Sequence, residues 1–279
     1  MKRKIASIIQ GRSTTDGAGV NLTRVLSNRT AEEFDPILML DSFDSTNPKE
    51  YEKGFPMHPH RGIETISLIS QGNMIHRDSL GNEDKISDGE VQWMTAGSGI
   101  LHEERLPASK RLLGVQLWLN MPGKDKMAKP EYHSIKNEEI QDIPIKGGTL
   151  RLVSGQYKEY KGFMGKYLPL DYYHIILNPN TKFSINVDQE KSIMLFLLSG
   201  DAKVADEKVI EKSAVKLSEG TSIEIESLDE RIEILFINSD PLGESISWGG
   251  PIVMNSREEI ELAFKELRNG DFLKNRVEY

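Results

Sequence analysis

The sequence predicts an all-β protein that ends in one helix, and three patterns along its 279 residues carry that prediction. Short apolar runs separated by turn residues recur about every ten residues, which is typical of β-sandwiches and barrels. A faint repeat relates the two halves of the chain, and a single helical pattern stands near its end. The length also favours two domains over one.

The strand pattern is clearest where apolar and polar residues alternate. In residues 114–120, Val115 and Leu117 fall on the face opposite Gln116 and Trp118, because successive side chains of a strand point to opposite faces. Such a strand is expected to pack one face on a core. The same alternation occurs in residues 221–227 and 231–238.

The repeat lies on either side of a polar stretch, residues 124–145. Residues 67–72 (SLISQG) and 87–94 (SDGEVQWM) are echoed by 196–201 (FLLSGD) and 217–225 (LSEGTSIEI), each pair separated by a charged segment. Two copies of one antiparallel barrel would explain this repeat.

The boundary between the halves is predicted from the polar stretch itself, which contains two prolines and shows no sustained period. We expect one barrel over residues 1–125, a linker over 126–145 and a second barrel over 146–279.

The terminal helix is predicted over residues 255–270. Ser256 and Glu259 have the spacing of a capping box, Ile260 and Phe264 lie at helical spacing, and Gly270 is a stop signal. We expect this helix to pack on the outside of a barrel.

Composition excludes several classes of protein. A formal net charge of −8 argues against direct nucleic-acid binding, and no apolar stretch is long enough to span a bilayer. The apolar run after the basic N-terminus is too short for a signal peptide. Zero cysteines remove disulfides, thiolate metal sites and a cysteine nucleophile. We therefore expect a cytoplasmic monomer without membrane or nucleic-acid contacts.

The chemistry is concentrated in the segment HPHRG. His58 and His60 are separated by one residue, so in a strand they point to the same side and can share one ion. Pro59 lacks an N–H group, which favours a sheet edge. The alternative is a pair of solvated or hydrogen-bonded strand histidines.

A second pair follows in HEE. Glu104 shares a face with His102, whereas Glu103 points away, so His58, His60, His102 and Glu104 could converge as four metal ligands. Imidazole suits Zn, Cu, Fe and Ni, and a carboxylate shifts the preference toward iron or manganese. Four ligands on an octahedral ion leave two positions open for water, O₂ or a chelating substrate.

The remaining titratable residues have weaker claims. Glu64 has the parity of His60 and is an alternative ligand or a base beside the metal. Three isolated histidines are interpreted as structural: His76, His133 and His174.

Together, FPMHPHRGIETIS, GEVQWMTAGSGILHEE, QLWLN and GGPIVMNSREEIELAF resemble the pirin family of the cupin superfamily, nearly from end to end. The resemblance implies a bicupin, with two antiparallel jelly-roll barrels face to face and a metal in the N-terminal one alone. It implies iron as the metal, held at positions matching His58, His60, His102 and Glu104. Residues 191–200, taken as the corresponding strand of the second half, contain no histidine.

Two functions are expected, and the resemblance implies the first of them. The first is a dioxygenase of the quercetin 2,3-dioxygenase type, using Fe(II), or Mn, Ni, Cu, Co or Zn, with O₂ and a flavonol-like substrate. Glu104 would then be both ligand and catalytic proton acceptor. The second is a metal- or redox-sensing regulator that binds a protein partner. A metal that only stabilises the barrel is a third interpretation.

Overall fold

The computed structural model describes residues 1–275 and consists mainly of antiparallel strands, which confirms the all-β prediction. Within that range no helix combines the length and apolar character needed to cross a membrane. The elements are β1 (Ile5–Gln10), β2 (Arg12–Asp16), β3 (Val20–Leu26), β4 (Ile37–Ser45), β5 (Phe55–His60), β6 (Ile63–Gln71), β7 (Met74–Asp78), β8 (Glu83–Ile86), β9 (Glu90–Thr95), β10 (Ile100–Arg105), β11 (Leu112–Asn120), β12 (Glu131–Ile135), β13 (Gln141–Ile145), β14 (Gly148–Ser154), β15 (Gln156–Tyr157), β16 (Tyr160–Lys161), β17 (Leu170–Leu177), β18 (Lys182–Asn186), β19 (Ser192–Ser199), β20 (Ala202–Val204), β21 (Glu207–Val209), β22 (Ser213–Leu217), β23 (Ser222–Ser227), β24 (Ile232–Ser239), β25 (Ser247–Gly249), β26 (Ile252–Met254), α1 (Arg257–Asn269) and the short 3₁₀ helices Pro48–Glu50 and Gly123–Asp125.

The chain forms two compact units, and each unit includes a segment from the far end of the chain. The N-terminal unit comprises Ser13–Lys136 and residues 242–275, and the C-terminal unit comprises Met1–Arg12 and Asn137–Pro241. This division differs from the predicted boundaries at residues 125 and 146, because long-range strand pairing and helix packing tie each terminus to the other half.

The N-terminal unit contains two large sheets and the two-stranded sheet β25-β26. A seven-stranded sheet has the order β12-β9-β6-β11-β4-β3-β2, and a four-stranded sheet has the order β5-β10-β7-β8. Strand β11 was predicted to bury one face, but all nine of its residues are buried. It lies between β4 and β6, and its second face, which carries Gln116 and Trp118, lines a cavity.

The C-terminal unit repeats this strand order position by position. Its sheets are β1-β22-β19-β24-β17-β14-β13 and β18-β23-β20-β21, so β19 takes the place of β6 and β22 that of β9. The sequence repeat is thereby confirmed. The strand equivalent to β5 is β18, whereas the sequence pattern had suggested residues 191–200. Strand β18 carries Phe183 and Ile185, which are buried in the apolar core.

The predicted linker is largely ordered as two strands. Strand β12 pairs with β9, and β13 pairs with β14. Both lie at sheet edges, where Pro144 can sit in β13 without removing an interior ladder hydrogen bond. The polar, aperiodic sequence therefore reflects edge strands rather than an unstructured connection.

The N-terminal segment belongs to the C-terminal unit. Strand β1 pairs with β22, and the Arg3 guanidinium is buried and donates to the carbonyl oxygens of Gly220, Ser218, Asp188 and Gln189. The basic run at residues 2–4 therefore helps to hold the N-terminal segment in place through Arg3.

The predicted helix is confirmed as α1. Ser256 Oγ accepts from Glu259 N, the Glu259 side chain accepts from Ser256 N, and Gly270 ends the helix with a φ of 79°, as expected for a left-handed cap. Ile260 and Ala263 pack with β26 in the N-terminal unit.

Candidate metal centre

Two antiparallel strands bring the three histidines together. Strand β5 is the edge of the four-stranded sheet, as Pro59 predicted, and β10 is its neighbour. His102 lies directly opposite His58 in the ladder, and Ile100 lies opposite His60. Because His58 and His60 are two residues apart, both rings project to the side that His102 occupies.

The imidazoles form a tight group. One ligand nitrogen from each of His58, His60 and His102 can be chosen so that all lie within 4.8 Å of one another. The ring centroids are 4.4 Å apart for His58 and His102, and 5.1 Å apart for His60 and His102.

Backbone carbonyls fix the tautomers of the first two rings. His58 Nδ1 lies 2.8 Å from Pro56 O, and His60 Nδ1 lies 2.8 Å from Pro251 O. A carbonyl oxygen only accepts, so both Nδ1 atoms carry the hydrogen and both Nε2 atoms present lone pairs. Those two Nε2 atoms face each other at 3.1 Å. Two lone pairs at this distance favour a cation that both can bind.

The approach of the Pro251 segment depends on a glycine. Gly62 has a φ of +77°, and a Cβ there would lie 2.1 Å from Val253 O. Only glycine combines this backbone conformation with this contact, which accounts for the glycine of the HPHRG segment.

His102 is the third ring and is completely buried. Among the described residues, neither Nδ1 nor Nε2 of His102 has a hydrogen-bond partner. A buried polar atom without a partner is costly, and coordination to an ion would satisfy one of these nitrogens. The residues present therefore fit a metal ion.

Burial keeps the inner rings neutral. It lowers the pKa of His60 to about 3, with a smaller contribution from His58. The pKa of His102 also lies well below its ordinary value, first because of burial and then because of the neighbouring His60, His58 and His76. Neutral imidazole is the form that binds metals.

Glu104 lies on the predicted face but outside the histidine group. It is buried, whereas Glu103 is half-buried, in agreement with the parity argument. The Glu104 carboxylate accepts from Gln116 Nε2 at 2.7 Å and from Gln92 Nε2. The three-imidazole group does not include it.

The other titratable residues are held by their own partners. Glu64 accepts from Thr95 Oγ1 at 2.6 Å, and burial raises its pKa; it too lies outside the histidine group. His174 Nε2 lies 2.9 Å from Glu233 Oε2 in the C-terminal unit, and His133 is exposed on β12.

His76 is more closely involved than the sequence predicted. Its ring centroid lies 5.4 Å from that of His102, its Nε2 lies 2.9 Å from Asp78 Oδ2, and it stacks on Tyr132. The spacing of His76 and Asp78 was a signal for a shared face, but nothing in the sequence indicated which strand β7 would adjoin.

A cavity of about 710 Å³, named here the histidine cavity, opens over His58 and His60. Trp118 and Trp248 form one wall, with stacked rings whose centroids are 5.7 Å apart. Opposite charges lie at another part of the lining, where Arg24 donates to both oxygens of Asp41 at 2.9 and 2.7 Å. Glu104 is not one of the lining residues.

Comparison with known proteins supports the resemblance to the pirin family over most of the chain. Residues 19–119 match the Pirin family, and residues 172–273 match the Pirin C-terminal cupin domain. A pirin-like protein of Caulobacter vibrioides is 36% identical over 97% of this chain and 99% of its own length. Human pirin is 34% identical over 96% of this chain and 93% of its own length.

A solved structure is also close. The crystal structure of a quercetin 2,3-dioxygenase from Acinetobacter baumannii superposes with a TM-score of 0.90 at 31% identity, covering 98% of this chain and 99% of that chain. With its two cupin domains and near full-length relatives, this chain belongs to the pirin family.

Proposed function

We propose that the protein is a metal-dependent dioxygenase that acts on a flavonol such as quercetin. The observation that carries the proposal is the histidine cavity, in which two rings of the three-histidine group face a space walled by two stacked tryptophans. The similarity to a structure described as a quercetin 2,3-dioxygenase supports it.

The tryptophan wall and the histidines would contact different parts of the substrate. Trp118 and Trp248 offer flat apolar surfaces on which a planar ring system can stack. His58 and His60 line the same cavity, and their Nε2 atoms lie 3.1 Å apart. A flavonol stacked on the tryptophans would bring its polar edge toward these histidines, and the walls would exclude water.

The proposed ligands are His58, His60, His102 and Glu104, with Fe(II) as the expected ion and Mn, Ni, Cu, Co and Zn as alternatives. When bound, the ion supplies a Lewis acid for the hydroxyl and carbonyl of the flavonol and a redox centre for O₂. The carbonyls of Pro56 and Pro251 keep two imidazoles in the ligating tautomer. Glu104 is the proposed proton acceptor, and the amides of Gln92 and Gln116 hold its carboxylate in place.

The test is metal content and O₂ uptake with quercetin after anaerobic loading with Fe(II). We expect uptake by the wild type and loss of both metal and uptake in His58→Ala, because one of the three converging imidazoles is gone. Glu104→Gln keeps an oxygen ligand but cannot accept a proton, so it should bind metal and lose uptake.

The matched control is His133→Ala, which removes an exposed histidine from β12 and should leave metal and uptake unchanged. Tight metal binding without O₂ uptake would overturn the dioxygenase and favour the regulator. Absence of metal in the loaded wild type would overturn the site itself.

A further inference from the structure

We propose that Arg24 and Asp16 select the substrate of the histidine cavity by binding a hydroxyl group on an outer ring of the flavonol. Both residues line this cavity together with His58 and His60. The assignment rests on the proposed function, because it gives a role to the charged part of the same cavity. Arg24 and Asp16 would then determine specificity, while the histidines and the tryptophan wall hold the rest of the substrate.

The guanidinium of Arg24 is fixed from one side by a buried carboxylate. Arg24 lies opposite Asp41 in the ladder of β3 and β4. Its Nε and Nη2 donate to the two oxygens of Asp41 at 2.9 and 2.7 Å, and the Asp41 side chain is only 6% exposed. A planar guanidinium held by two such hydrogen bonds has little freedom to turn.

The third nitrogen of this guanidinium is left for a ligand. Among residues 1–275, Arg24 Nε and Nη2 form hydrogen bonds, whereas Nη1 takes part in none. Nη1 is also accessible, because 33% of the Arg24 side chain is exposed and Nη1 is not one of the buried atoms that lack a partner. Since Arg24 lines the cavity, Nη1 offers two N–H donors there.

Asp16 supplies an acceptor beside this donor. Its Oδ2 accepts from Arg24 Nη2 at 2.6 Å and its Oδ1 from Gly17 N at 2.7 Å, while half of its side chain stays exposed. Each carboxylate oxygen has a second lone pair, so Asp16 can accept a further hydrogen bond. A hydroxyl group both donates and accepts, and therefore matches the two residues.

The local charge favours a neutral hydroxyl over an anionic group. The Arg24 guanidinium is bonded to two carboxylates, those of Asp16 and Asp41. One positive and two negative charges leave a surplus of negative charge, which disfavours a carboxylate or sulfate at this place.

The turn that follows Asp16 adjoins the strand of the histidines. Gly17 has a φ of +57°, and a Cβ there would lie 2.6 Å from Cδ1 of Phe55, the first residue of β5. The pKa of Asp16 lies below its ordinary value: burial acts to raise it, but hydrogen bonds from Arg24 and Gly17 and the charges of Arg24 and His58 outweigh this. Asp16 and His58 thus face one space of about 710 Å³, within the size range of small-molecule sites.

The experiment measures binding of quercetin and of 3-hydroxyflavone to the Fe(II)-loaded protein by calorimetry without O₂, so that no turnover occurs. Both compounds have the same 3-hydroxyl and 4-carbonyl groups for the ion, but only quercetin has hydroxyls on its outer rings. We expect quercetin to bind about tenfold more tightly, as a hydrogen bond to a charged group would give.

Variants locate the hydroxyl. Arg24→Met should weaken quercetin about tenfold and leave 3-hydroxyflavone unchanged. Arg12→Met, which removes an exposed arginine of β2 outside the cavity lining, should change neither affinity. Asp16→Ala leaves the Arg24–Asp41 pair in place and should also weaken quercetin alone, so it serves as the test if Arg24→Met does not fold.

The outcomes separate this assignment from the dioxygenase. Equal affinity of the wild type for the two compounds, or quercetin binding that Arg24→Met and Asp16→Ala leave intact, would overturn the assignment and leave the dioxygenase standing. Tighter quercetin binding that depends on Arg24, with no O₂ uptake when air is admitted, would support the assignment and overturn the catalytic step alone. Failure of both compounds to bind would overturn both proposals.

Discussion

At the scale of single residues, the ammonium of Lys126 is a charged group in a buried position. It is 1% exposed and donates to Asn120 Oδ1 at 2.6 Å, Gly62 O at 2.7 Å and Val253 O at 3.1 Å. These partners are neutral, so they only partly replace the lost hydration of a charge. Burial accordingly lowers the pKa of Lys126 from 10.5 to about 8.

This pKa predicts a pH-dependent stability. Between about pH 8 and 10.5 the folded protein has released the Lys126 proton while the unfolded chain still holds it. The unfolded state then binds more protons, so the free energy of unfolding rises with pH in this window. Relative to Lys126→Met, the wild type should gain about 3 kcal/mol across it. Urea unfolding at several pH values measures the difference, with Lys129→Met as the control for an exposed lysine. A constant difference would contradict the prediction.

Residue patterns alone predicted much of the candidate site. Parity placed His58 and His60 on one side of a strand, His102 was expected to converge with them from another strand, and the structure brings the three rings together. The same rule placed Glu104 on the face of His102. It could not show that Gln92 and Gln116 hold the Glu104 carboxylate, because that depends on which strands become neighbours.

At the scale of elements, the C-terminal segment is fastened to the barrel by a buried arginine. Arg61 Nε donates to Ser98 O at 2.7 Å, and Nη2 lies 2.9 Å from Phe272 O and 2.7 Å from Glu266 Oε2. The guanidinium also lies 4.3 Å from the centroid of the Phe272 ring. Helix α1 and the residues after it are therefore held beside β5.

Arg61→Met should loosen this segment. The variant leaves Ser98 O and Phe272 O without their donor, and we expect a local loss of about 2 kcal/mol. Amide hydrogen exchange of residues 252–272 should then be roughly thirtyfold faster. Arg268→Met, which removes an exposed arginine from the last turn of α1, is the control. Unchanged exchange in Arg61→Met would show that apolar packing alone holds the helix.

The elements predicted correctly are those whose signals lie close together in the sequence. Helix α1 was predicted because its cap, apolar spacing and stop lie within one short segment. The edge strands β12 and β13 were not predicted, because they are stabilised mainly by pairing with β9 and β14 and not by a pattern in their own sequence. Strand β11 was predicted with the right alternation but with one buried face instead of two.

At the scale of the whole molecule, the exchange of terminal segments is the feature that the sequence did not predict. The first twelve residues complete the C-terminal unit, and residues 242–275 complete the N-terminal unit. No local pattern specifies this exchange, since it rests on pairing between residues more than two hundred positions apart, such as Ile5 and Leu217.

Arg3→Met tests how far the N-terminal segment stabilises the C-terminal unit. The variant removes the donor for four backbone carbonyls, and we expect a loss of about 3 kcal/mol. Hydrogen exchange in β22 and in residues 218–222 should report it, with Lys4→Met, an exposed neighbour, as the control. Faster hydrogen exchange confined to the N-terminal unit would contradict this prediction.

The contact between His60 Nδ1 and Pro251 O can form only late in the synthesis of the chain. The ribosome makes the histidine early and its carbonyl partner almost two hundred residues later, so a nascent chain can pair β5 with β10 long before the His60 ring is anchored. A chain cut short after Pro241 would carry all three imidazoles and lack the group that orients one of them. With a metal bound as proposed, metal affinity would then distinguish finished from unfinished molecules.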